Sequence, residues 1–139
     1  MSDQQFPPMP PARSGLVPYL EVGGALKAAE FYKKAFGAEQ AFAVPPDENG
    51  RTMHVHLYVN NSSLMLSDAY PEHGHPHEPA AGYTLQLILK PDEIDSWWQR
   101  AVDAGCEVVV PLDVMFWGDR WGNLRDPFGV SWAMNAPVS

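Results

Sequence analysis

Apolar and polar side chains follow one another along this chain in an order that occurs twice. From Leu16 to Val22 they alternate as on an extended strand, with Val17, Tyr19 and Glu21 on one face and Pro18, Leu20 and Val22 on the other. Gly23-Gly24 breaks that run, and the period then lengthens. Ala25, Ala28, Ala29, Phe31, Tyr32, Ala35 and Phe36 form the apolar face of a helix whose other side carries Lys27, Glu30, Lys33 and Lys34, and Gly37 suits its C-terminal cap. Strand patterns return at Glu39–Val44 and Thr52–Asn60, separated by the turn-rich stretch Pro45–Gly50. Asn60-Asn61 predicts a tight hairpin into a further strand over Ser63–Asp68.

After a loop at 70–82 rich in His, Pro and Gly, the same order resumes. Tyr83–Leu89 alternates, with Leu85, Leu87 and Leu89 on one face and Thr84, Gln86 and Ile88 on the other. Pro91-Asp92-Glu93 opens a second helix, proline first and acids in the first turn. Ile94, Trp97, Trp98, Ala101 and Val102 form its apolar stripe, and Gly105 ends it. Strands are predicted at Glu107–Leu112, Arg120–Arg125 and Val130–Asn135, the last two joined by the turn Asp126-Pro127-Phe128-Gly129.

The repeat is visible in the residues as well as the order: Phe31-Tyr32-Lys33-Lys34-Ala35 matches Trp97-Trp98-Gln99-Arg100-Ala101, and Ser63–Ser67 matches Ser131–Asn135. The fold class predicted is α+β. Two tandem βαβββ modules, at about 16–69 and 82–136, would form a curved, cup-shaped mixed sheet with helices outside. They make up a single domain, 16–139, preceded by a flexible proline-rich arm, 1–15. A small-molecule cleft is expected between the modules.

This duplicated pattern resembles the vicinal-oxygen-chelate superfamily of glyoxalase I, bleomycin-resistance proteins and extradiol dioxygenases, over about Leu16 to Asn135. Its motifs are similar to those of a glyoxalase-like branch often labelled demethylubiquinone-methyltransferase-like. They are Pro18-Tyr19-Leu20, Glu30-Phe31-Tyr32 with Ala35-Phe36-Gly37-Ala38, Met53-His54, Leu64-Met65-Leu66-Ser67-Asp68, Phe116-Trp117-Gly118-Asp119-Arg120, and Asp126-Pro127-Phe128-Gly129 with Trp132. The resemblance implies a homodimer. It also implies four cup-facing positions at which the family's enzymes hold a metal, and these map onto Val17, Met65, Thr84 and Ala133. None supplies an imidazole or a carboxylate, so no metal and no other cofactor is expected there. The methyltransferase label finds no nucleotide-binding strand, glycine loop and helix to support it.

Composition narrows the partners. Seventeen acids against nine bases give a formal net charge of −8, and the bases are scattered, which disfavours nucleic acid and anionic membrane surfaces. No apolar run approaches a membrane span and no signal-peptide pattern opens the chain, so a cytoplasmic location is expected. The single cysteine, Cys106, follows a helix end and reads as a buried, inert thiol. Nucleophilic catalysis has no Gly-x-Ser-x-Gly elbow to rest on.

The remaining chemistry lies in the histidines and aromatics. His54 and His56 share a strand face with Tyr58, opposite Val55, Leu57 and Val59. They are candidates for ligand contact or general-base work. His73, His75 and His77 lie in a Gly/Pro loop poorly suited to hold a metal, and a solvated segment is the simpler reading. Tyr19, Gln86, Phe116, Trp117, Arg120, Trp121 and Asn123 complete the cup candidates, whereas Trp97, Trp98 and Trp132 read as core. Arg120 could meet an anionic ligand group or pair with Asp119 or Asp126. Two functions follow as expectations: a metal-free small-molecule-binding protein, or a glyoxalase-like lyase, isomerase or dioxygenase-like enzyme using His54 or His56 or a non-standard metal site.

Overall fold

The computed structural model describes residues 9–74, 77–79 and 81–139. The first module comprises β1 (Tyr19–Glu21), α1 (Ala25–Phe36), β2 (Glu39–Ala43), β3 (Val55–Val59) and β4 (Ser62–Ser67). The second comprises β5 (Leu85–Ile88), α2 (Ile94–Ala104), β6 (Glu107–Val114), β7 (Asp119–Arg125) and β8 (Ser131–Pro137). Each module forms a mixed four-stranded sheet, ordered β1-β4-β3-β2 and β5-β8-β7-β6, in which the first and last strands run parallel and the remaining pairs antiparallel. The α+β fold of two βαβββ modules is therefore as the pattern predicts, and the sheets are not closed.

The registers of the two sheets correspond. Tyr19 lies beside Met65 and Met65 opposite His56 in the first. Gln86 lies beside Ala133 and Ala133 opposite Asn123 in the second. Because side chains alternate across a sheet, these residues share the helix-free faces. Leu20, Val55, Leu57, Leu64 and Leu66 fall on the covered face of the first sheet, each under 5% exposed, against the buried alanines of α1. Leu87, Leu124, Trp132 and Met134 do the same in the second with Ile94 and Ala101 of α2. Trp97 and Trp98 are half-buried against this core.

Departures from the sequence pattern have local causes. The third strand starts at Val55, not Thr52, because Thr52 is engaged elsewhere. Its N–H donates to Asp68 Oδ2 at 2.9 Å and its hydroxyl to the Val44 carbonyl at 2.6 Å. The second helix starts at Ile94: the amides of Glu93 and Ile94 both bond the Lys90 carbonyl, making 91–93 a turn. β6 runs on to Val114 through two register shifts, which bend it without ending its pairing with β7.

Two buried carboxylates organise the chain. Asp68 accepts the N–H groups of Gly24 and Ala25 at the start of α1 and that of Thr52, tying helix, loop and strand together. Asp126 accepts from Phe128 and Val130 amides on Oδ1, and from Tyr32 Oη (2.6 Å) and Trp132 Nε1 (2.9 Å) on Oδ2. The Tyr32 bond crosses between modules. Beside it the Phe36 and Trp132 rings lie 4.3 Å apart, so α1 packs on the core of both sheets. Burial, and then the Asp126 charge, raises the Tyr32 pKa far above its ordinary value. The same two causes push Cys106 up to about 12; the thiol is buried and un-ionised at neutral pH.

Gly122 on β7 is a close-approach glycine. A Cβ there would lie 2.5 Å from the Trp98 ring and 2.9 Å from the Leu112 Cα. The indole of α2 therefore lies directly on the bare backbone of the sheet.

Candidate functional site

A cleft of about 450 Å3 separates the two modules. Leu16, Pro18, Ser63 and Leu64 line one wall; Thr84, Gln86, Ile88 and Trp132 line the other. Asn60 bridges them, its side-chain amide donating to the Ile88 carbonyl at 3.0 Å. The cleft sits between the β3–β4 hairpin, with the stretch just before β1, on one side and β5 on the other, so its walls mix apolar side chains with groups from the helix-free faces.

Each polar group on the walls is held by a partner behind it. The Ser63 hydroxyl lies 2.7 Å from His56 Nε2 and also accepts the Arg13 backbone N–H at 2.7 Å. Gln86 Oε1 accepts from Trp121 Nε1 at 2.9 Å. Thr84 Oγ1 is 2.8 Å from Ser131 Oγ, which in turn accepts from Asn123 Nδ2 at 3.0 Å. Partners of this kind fix rotamers before a ligand arrives, which lowers the entropic cost of binding.

The expected site residues fall into distinct places. Gln86 lines the cleft. His56, only 2% exposed, stands behind Ser63, and Trp121 and Asn123 stand behind Gln86 and Ser131. Tyr19 and His54 form a separate pair on the helix-free face of the first sheet, Oη to Nδ1 3.0 Å, with Phe42 close to His54. Phe116 (97% exposed) and Trp117 (50%) sit at the turn between β6 and β7, Trp117 edge-on to Trp121, and neither lines the cleft. Arg120 is corrected in placement. It alternates with Trp121 and so points to the α2 side, where it forms a two-pronged ion pair with Asp95 at 2.6 and 3.0 Å. It pairs with neither Asp119 nor Asp126.

Burial lowers the pKa of both His54 and His56; for His56 the neighbouring His54 and Arg13 charges add to the effect. Both imidazoles thus favour the neutral form. Tyr19 is raised by burial. No group of three or more His, Cys, Asp or Glu poised for a metal exists among the described residues, and His75 lies outside them. Ser63 was not apparent as a site residue from the chain alone. Its signal was parity: it shares a strand face with Met65 and Ser67, opposite Leu64 and Leu66.

No helix of the described residues is long and apolar enough to cross a membrane. The sequence matches the profile described as Glyoxalase/Bleomycin resistance protein/Dioxygenase superfamily over residues 20–134. The uncharacterised protein Mb0911c of Mycobacterium bovis is 38% identical over 128 residues, covering 88% of this chain and 83% of that protein. Among solved structures, protein PA1353 from Pseudomonas aeruginosa is 28% identical with a TM-score of 0.73, covering 88% of this chain and 96% of that one. The fosfomycin resistance protein FosX from Listeria monocytogenes shares the fold, with a TM-score of 0.66 at 17% identity, covering 88% and 93% of the two chains.

Proposed function

The chain belongs to the Glyoxalase/Bleomycin resistance protein/Dioxygenase superfamily, and from that premise we propose that it binds a small, partly polar molecule in the inter-module cleft without a metal. The observation that carries this reading is the cleft itself. Its volume of about 450 Å3 lies within the range of ligand pockets, and Ser63, Thr84 and Gln86 converge on it already oriented by His56, Ser131 and Trp121. Leu16, Pro18, Leu64 and Ile88 supply apolar contact.

A metal of the kind the family's enzymes use does not fit the side chains here. The matching registers of Met65 and Ala133 support their equivalence between modules, and with Val17 and Thr84 they provide no charged or imidazole donor. Binding is therefore derived from the hydrogen-bonding groups alone. The protein is further proposed to act in the cytoplasm as a homodimer, since β1, β2, β5 and β6 are all sheet edges, and to use neither nucleic acid nor membrane as partner.

The test is a thermal-shift screen of small organic compounds, with hits followed by calorimetry. A ligand at a hundred times its Kd adds about 2.7 kcal/mol to stability. Hits of the wild type are expected to weaken in Gln86→Leu and Ser63→Ala. Hits indifferent to both substitutions would place binding elsewhere, and stoichiometric, tight uptake of Zn2+, Ni2+ or Mn2+ would defeat the metal-free reading. Sedimentation measures the dimer.

The Tyr19–His54 pair favours a second reading, an enzyme of the lyase or isomerase kind. A neutral imidazole hydrogen-bonded to a phenol on an uncovered face is able to accept a proton from a bound substrate. His54→Ala would then abolish turnover with little loss of stability; turnover unchanged by that substitution removes His54 as the base.

A further inference from the structure

A second, smaller cavity of about 260 Å3 lies at the C-terminal end of α1, and the geometry points to it as a binding site for a small oxyanion, a phosphate or carboxylate group. It takes residues from the arm (Arg13), from β3 (Tyr58) and the turn after it (Asn60, Asn61), and from α2 (Arg100), so three remote segments converge on it.

The argument begins with the arginines. Acids outnumber bases by seventeen to nine in this chain, and Arg51 and Arg120 each grip a carboxylate with two prongs. Arg13 and Arg100 do not. Among the described residues neither has a carboxylate oxygen within 4.0 Å, although both residues line the same cavity. Each is instead held flat. The Arg13 carbon lies 3.6 Å from the centre of the Tyr58 ring, and its backbone pairs with Ser63 through both N–H and C=O. Arg100 stacks 4.6 Å from the Trp97 ring and donates Nε–H to the Ala35 carbonyl at 3.2 Å.

Those contacts use up the faces of the guanidinium groups and one edge donor, and leave the others. Nη2 of Arg100 is buried and has no hydrogen-bond acceptor among the described residues. A buried donor on a cation without an acceptor costs more than a neutral one, and an oxyanion is the acceptor whose geometry suits a planar fork. Gly37, the cap of α1 with φ 67°, lets the fork lie close: a Cβ there would be 3.0 Å from Arg100 Nη1. Glu39, the one acid among the described residues lining the cavity, is exposed and pairs with neither arginine.

The site is separate from the larger cleft, sharing only Asn60 with it, and stands whether or not that cleft binds a ligand. Amide and Arg Nε–H resonances of the full chain would be followed by NMR while inorganic phosphate, and in a second arm acetate, replaces chloride at constant ionic strength. Saturable shifts at Gly37, Asn61 and Arg100 are expected, and the arm with the tighter binding identifies the oxyanion class. Arg13→Gln, an arm substitution outside both modules, and Arg100→Lys, which keeps the charge and loses the fork, should each weaken binding about tenfold. No saturable shift with either anion, or saturation unchanged in both variants, overturns the assignment.

Discussion

Replacing Gly122 with alanine tests the packing of α2 on the second sheet. The added methyl would meet the Trp98 ring at 2.5 and 2.6 Å and the Leu112 Cα at 2.9 Å. Ordinary carbon contacts begin near ~3.5 Å. The ring can tilt, but Leu112 belongs to β6, which is locked to β7 by the Val110–Asn123 and Asp113–Trp121 pairs on either side. An opposing effect exists, because exchanging glycine for alanine restricts the unfolded chain and stabilises by about 0.4–1 kcal/mol where the fold tolerates it. Overpacking costs about 1–3 kcal/mol, and more where backbone blocks the way. The steric side wins, by about 2 kcal/mol. In a domain of this length that lowers Tm by roughly 6–10 °C, and the urea midpoint falls with the slope unchanged. The double variant with Trp98→Ala separates the two obstacles. Removing the ring should cut the cost of Gly122→Ala by about 1 kcal/mol or more, leaving the part owed to Leu112. A Gly122→Ala protein within about 0.5 kcal/mol of wild type, or strict additivity in the double variant, would refute the reasoning.

Other outcomes follow from the buried polar groups. Asp126→Asn leaves four donors facing an amide that cannot accept from all of them, and should cost about 3 kcal/mol in urea unfolding; a loss under about 1 kcal/mol would contradict the network. Because the folded-state pKa values of His54 and His56 lie below those of the unfolded chain, the unfolded state takes up protons first. Stability is present above about pH 6.5 and lost as pH falls through the lowered values. His56→Gln should flatten the urea-midpoint profile between pH 7 and 5, and a slope equal to wild type would exclude His56 as a source. Arg120→Ala removes a surface ion pair with Asp95 and should change stability by less than about 1 kcal/mol. It should also leave binding in the inter-module cleft intact, which calorimetry with any hit compound checks.

Periodicity carries the architecture because it is local. The shift from period two to period 3.6 and back marks each module, and alternation places His54, His56, Gln86 and Asn123 on the helix-free faces, where the structure has them. The same rule shows why Arg120 could not join Trp121: neighbours on a strand point apart. What stayed hidden depends on distance along the chain. Ser63 is a small polar residue with no chemistry of its own until His56 and the arm are brought to it. Tyr32 and Asp126 are 94 positions apart, and nothing in the stretch around either one announces the other.

The two halves are alike in outline yet have stopped being interchangeable. The first helix lends Phe36 and Tyr32 to the core beneath Trp132, and the second returns Arg100 to cap the carbonyl of Ala35. Each half is thus finished by a part of the other, and neither is expected to fold alone. Cleaving the chain in the loop before Tyr83 should therefore yield two fragments that stay together until denatured and refold only when mixed.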